Sequence, residues 1–75
     1  MPGPQRMTAI IERDDDGFVA LCPELDIASQ GSSIEGTRAN LVEALTLFCE
    51  TASSSELVQR LHSEVFITQI EIPVG

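Results

Sequence analysis

The 75-residue chain contains no tryptophan or tyrosine and three phenylalanines. Its interior must therefore be assembled from isoleucine, valine and leucine. Basic side chains are also scarce, four against twelve acids, for a net charge of −8. Such a surface repels a phosphate backbone, which disfavours nucleic-acid binding by this chain alone and favours a basic partner. No run approaches the roughly 18 apolar residues of a membrane helix, and the head "MPGPQR" lacks the apolar stretch of a secretory signal. A cytoplasmic protein with no membrane partner is the expectation. The two cysteines, Cys22 and Cys49, form no CxxC pair or Cys/His cluster, so neither a zinc site nor a disulfide scaffold is indicated. Both thiols are expected to be free and buried.

What is present suffices for one small domain. Hydrophobic residues make up 43% of the chain, enough to exclude disorder. A folded chain of this length hides only about 60% of the surface of its unfolded form, which leaves little room for a deep catalytic cleft. Residues 1–6 read as a disordered Pro/Gly lead-in, with Met7 as a second candidate start, and 7–75 as the domain.

Along that domain, "MTAIIER", "DDDG" and "FVALC" have the form of a β-hairpin with an Asp-Gly turn. Pro23 cannot donate to a sheet ladder, so "PEL" reads as a bend and "DIASQG" as a short third strand. In "SSIEGTRANLVEALTLFCETA", Ser32 followed by Glu35 forms a capping-box signature, and Ile34, Leu41, Leu45, Phe48 and Ala52 make one apolar stripe. Gly36 in the first turn costs about 1 kcal/mol relative to Ala, so this helix depends on packing. Ser53 and Glu56 cap a short second helix, "SELVQRLH", closed by His62, whose cation suits the negative end of the helix dipole. "EVFITQIEIPVG" reads as a returning strand ended by Pro73. The fold class expected is α+β: a three-stranded antiparallel meander, a long and a short helix, and the returning strand, in the order β-β-β-α-α-β.

No constellation supports catalysis. "ERDDDG" opens like a calcium loop, but the residue needed as closing bidentate glutamate is Pro23. A two-metal site needs carboxylates that converge, whereas Asp14 and Asp16 belong to a hairpin tip, Glu43 lies off the apolar stripe, and Glu24, Asp26 and Glu71 are scattered. Ser29, Ser32 and Ser33 have no partner base, and His62 has no second ligand. No catalytic residue, metal or cofactor is assigned, and the chain is read as a non-enzyme.

The run "MTAIIERDDDGFVALCPELDIASQGSSIEGTRANLVEALTLFCETA", followed by "EVFITQIEI", resembles HicB-family antitoxins of type II toxin–antitoxin systems over essentially the whole chain after Met7. The resemblance rests on an acidic Asp-Gly hairpin, "GFVA", "CPELD", "ASQG" and a capped helix with "ANLVEAL", in that order. It implies a partial RNase H-like fold without the nuclease's acids. It also implies neutralisation of a small basic HicA-type, mRNA-cleaving toxin by occlusion of its active or RNA-binding surface. Longer members carry a C-terminal DNA-binding module that has no counterpart here, so direct DNA binding is not expected. Asp14, Asp15, Asp16, Glu24 and Asp26 are the expected toxin contacts, with Phe18 and Leu21 supporting the hairpin. Phe66, Thr68, Gln69 and Ile70 are the expected edge strand of a homodimer or higher homo-oligomer. The alternative function is an orphan, self-associating HicB-like scaffold or regulatory subunit with no toxin.

Overall fold

The computed structural model describes residues 6–62 and 64–75. Three strands, β1 (Ile10–Asp14), β2 (Gly17–Cys22) and β3 (Ile27–Gly31), precede two helices, α1 (Ile34–Thr51) and α2 (Ser54–Arg60). The strands form an antiparallel sheet in the order β1-β2-β3.

The hairpin forms where its acids and glycine place it, with the turn shifted by one residue. Asp14 pairs with Gly17, so the two-residue loop is Asp15-Asp16, and Asp15 takes the left-handed backbone with φ 52°. Aspartate tolerates that conformation better than most side chains. Gly17 is needed for another reason: a Cβ there would stand 2.6 Å from the carbonyl oxygen of Gly31. Gly31 in turn lies against the first turn of α1, where a Cβ would stand 2.8 Å from Thr37 Oγ1 and 2.9 Å from its backbone nitrogen. Two glycines and a threonine thus bring the helix down onto the sheet.

That contact sets the start of α1. Thr37 is wholly buried and its hydroxyl donates to the Ser33 carbonyl at 2.6 Å. Ser33 is the N-cap, its Oγ accepting from the Gly36 N–H at 3.0 Å. The expected Ser32/Glu35 box does not form, because the residue three beyond the true cap is Gly36, which has no side chain to return the bond. The buried stripe shifts accordingly: Thr37 replaces Ile34, which is half exposed, and leads to Leu41, Leu45 and Phe48. The second cap matches its sequence signature, with both arms of the Ser53/Glu56 box present. His62 does not close α2; Leu61 is the C-cap, Arg60 occupies the last turn, and the His62 side chain lies exposed beyond it.

The core is small. Ala20 and Cys22 of β2, Leu25 of the following corner and Leu41 of α1 are fully buried, with Ile11 and Ile27 packed around them. Leu21 points to the opposite face of the sheet from Phe18, beside Ile10, and is exposed there. Cys22 is buried as expected, but Cys49 is exposed, since it lies next to the Leu41–Leu45–Phe48 stripe and not on it. The returning strand is not formed: residues 64–75 carry no ladder, with Phe66 89% and Val74 94% exposed. Alternation and β-branching make a segment able to pair, but a strand exists only when another backbone accepts its hydrogen bonds.

Replacement of Gly31 by alanine tests the close approach. Overpacking against the Thr37 backbone should cost about 1–3 kcal/mol, read as a lower urea midpoint, with an unchanged midpoint refuting the contact's importance.

Candidate functional site

The five acids expected to meet a partner do not form one patch. Asp14, Asp15 and Asp16 are exposed at the hairpin tip, whereas Glu24 and Asp26 lie at the other end of β2. At about 3.4 Å per residue, β2 separates the two groups by roughly 17 Å. Asp14 and Asp16 border a shallow hollow of about 360 Å³ completed by Phe18, Gln30 and Ser32. Beside them the Arg13 guanidinium sits over the Phe18 ring, 4.7 Å from its centroid. This stacking keeps one of the few cations on the ring face and leaves the three aspartates open to solvent.

Glu24 is a structural residue. It is 9% exposed, and its Oε1 accepts from the Thr8 N–H at 2.9 Å while Oε2 accepts from the Thr8 hydroxyl at 2.5 Å. The Cys22 thiol donates to Oε1 at 3.4 Å. Burial by itself would raise the carboxyl's pKa, but the Thr8 bonds and those from the local backbone and Cys22 together outweigh it and hold the group below the ordinary glutamate value. Burial, reinforced by the adjacent carboxylate, pushes the Cys22 thiol up, which makes it a poor nucleophile at neutral pH. The backbone of the same corner is also held. The Glu24 carbonyl accepts from the His62 N–H at 2.6 Å and the Leu25 carbonyl from the Arg60 guanidinium at 3.0 Å, with Arg60 also over the Phe48 ring. The Asp26 N–H closes the turn onto the Cys22 carbonyl at 2.8 Å, and Asp26 takes φ 57° with its side chain in solvent.

Glu24 was therefore misassigned as an exposed contact. The signal that distinguishes it from Asp26 is its position between Cys22 and Leu25, both of which enter the core. Thr8 and Arg60 carry no sequence signal, because their partners Glu24 and Leu25 lie 16 and 35 residues away, and Thr37 carries none because its role depends on the close approach of α1 to Gly31.

A second surface opens between the lead into β1 and the helices. It is a groove of about 780 Å³ with Met7, Leu41, Val42, Leu45 and Leu57 on its walls and Cys49 at its side. Phe66, Thr68, Gln69 and Ile70 are all exposed and lie outside any ladder. Among the described residues, no group of three His, Cys, Asp or Glu side chains is placed to hold a metal ion, and no helix is long and apolar enough to cross a membrane. Comparison with family models, with curated proteins and with solved structures finds no match.

The Glu24 clamp has a definite pH signature. A carboxyl held below its usual pKa by native contacts contributes stability in full above the ordinary glutamate range, and the contribution is lost as pH falls through the depressed folded-state value. Glu24→Gln should lower stability by about 1–3 kcal/mol at neutral pH and flatten the acid limb of a urea-midpoint profile. A profile that overlays the wild type would show that Thr8 and Glu24 are not paired in solution.

Proposed function

We propose that this chain is an antitoxin: a binding protein of HicB type that neutralises a small, basic, mRNA-cleaving toxin by covering its active or RNA-binding surface. The single observation that carries the reading is the hairpin tip, where Asp14, Asp15 and Asp16 stand exposed together on a chain of net charge −8. Cationic surfaces evolved to hold RNA attract such a tip electrostatically, and the attraction acts mainly on the rate of encounter. The resemblance of "ERDDDGFVALCPELDIASQG" and "ANLVEAL" to that family supplies the toxin's identity as a class. Under this proposal the buried Glu24 takes no part in the contact, which centres on the tip and its neighbours Phe18, Gln30 and Ser32, and Asp26, at the opposite end of β2, contributes little. In this reading the protein works in the cytoplasm and has no catalytic role. The self-associating scaffold remains the second reading, favoured by the exposed apolar residues of 64–75.

The test is association kinetics with a HicA-type toxin encoded beside this chain. Replacing Asp14, Asp15 and Asp16 together by asparagine should slow association about tenfold or more at low salt and flatten its ionic-strength dependence, while Asp26→Asn should leave both nearly unchanged. Equal rates for the triple variant and the wild type would remove the tip from the interface, and absence of any complex would leave the scaffold reading in its place.

A further inference from the structure

The geometry points to a strand-exchanged dimer, in which residues 64–72 of one copy pair with the β1 edge of a second copy and seat Phe66, Ile70 and Ile72 in the groove beneath its α1. This inference does not depend on the toxin reading. It begins from a vacancy in the fold. α1 packs chiefly on β3 and β2 and only touches β1. The β1 side of the sheet is therefore bare, and the groove there is walled by Met7 and Ala9 on the sheet side and Leu41, Leu45 and Leu57 on the helix side. On the other side of the sheet, α1 lies over β3 and Asn40 Nδ2 donates to the Gln30 carbonyl at 2.8 Å. A new strand has one open edge to join, and it is β1.

The chain also carries the segment that fits. By strand parity, residues 66, 68, 70 and 72 present Phe, Thr, Ile and Ile to one face, with Val65, Ile67, Gln69 and Glu71 on the other, so the first face carries the larger apolar side chains toward the Ile70–Ile72 end. Nine residues from 64 to 72 extend to about 30 Å, enough to cover β1 and its lead-in from Met7, which extend to about 27 Å. In its own chain this segment is left uncovered, with Phe66, Ile70 and Ile72 all at least 65% exposed.

The amount of exposed surface suits a second copy as the occupant. The chain exposes 6232 Å², against roughly 4,500 Å² for a folded monomer of its 8.1 kDa. The most that residues 1–5 could contribute is about 800 Å². The remaining excess, roughly 1,000 Å², matches the about 800 Å² that each partner buries in an interface of standard size. The radius of gyration tells the same story: it is 14.4 Å, against about 11 Å for a compact chain of this length. Reciprocal exchange covers both tails and both grooves at once and closes the assembly at two copies by two-fold symmetry.

Cys49 borders the groove and is exposed, while Cys22 is buried, so the chain contains its own reporter. In the full-length Ile70→Cys variant, mild oxidation should join the introduced thiol to Cys49 of the other copy, giving a reducible covalent dimer that the additional Cys49→Ala substitution abolishes. A link formed within one chain would place the tail in its own groove, and dimers that persist without Cys49 would place tail against tail. Either result, or two thiols that stay unlinked, overturns the proposal. Independently, the unmodified protein should sediment at twice 8.1 kDa. Ile70→Glu, at a position already exposed in the single chain, should weaken that dimer at least tenfold without loss of helix signal. A wild-type protein that sediments as a monomer at micromolar concentration also overturns it.

Discussion

The structure depends on one buried carboxylate. The Glu24 carboxylate gathers the lead into β1 through Thr8 and the end of β2 through Cys22, and the backbone carbonyl of the same residue holds the exit from α2 through the His62 N–H. With four apolar side chains fully buried among the described residues, hydrophobic contact alone specifies little about how these segments meet. A charged acceptor that is satisfied by directed donors does specify it, since each misplacement leaves a buried charge unpaired. The corner "CPELD" is therefore less a linker between strands than the junction at which three distant parts of the sequence are brought into register.

The opposite end of the sheet is organised by the lack of side chains. Gly17 and Gly31 permit the hairpin and the helix start to approach within contact of Thr37, so the tip acids extend from a firm base. Position and chemistry are thereby divided: the corner end of β2 carries the internal polar network, and the turn end carries the uncompensated charge. Such a division suits a protein whose task is to present a surface to another molecule, because the groups that hold the fold are not those that meet the partner.

Local features were legible in the sequence wherever cause and effect lay within a few residues. The hairpin, the bend at Pro23, the short third strand and the Ser53/Glu56 cap all follow from turn and capping chemistry. The start of α1 was legible only to within one residue, because the choice between Ser32 and Ser33 goes with the packing of Thr37 against Gly31, where the end of β3 meets the first turn of α1. Glu24 and Asp26 look alike in sequence and differ entirely in the fold, since only one faces Thr8. The returning strand shows the same limit most plainly. Its residues can form a strand, but a ladder needs a second backbone, which no pattern within 64–75 can supply.

The separation of the tip from the groove has a thermodynamic corollary. Two copies of a chain with net charge −8 repel each other whenever they meet, and a cationic ligand at the hairpin tip would diminish that repulsion. If the tip takes such a ligand and the tail pairs with a second copy, the two are linked equilibria, each favouring the other by the same factor. The sign of that linkage is set by net charge alone, and added salt, which screens both the repulsion and the attraction, erases it.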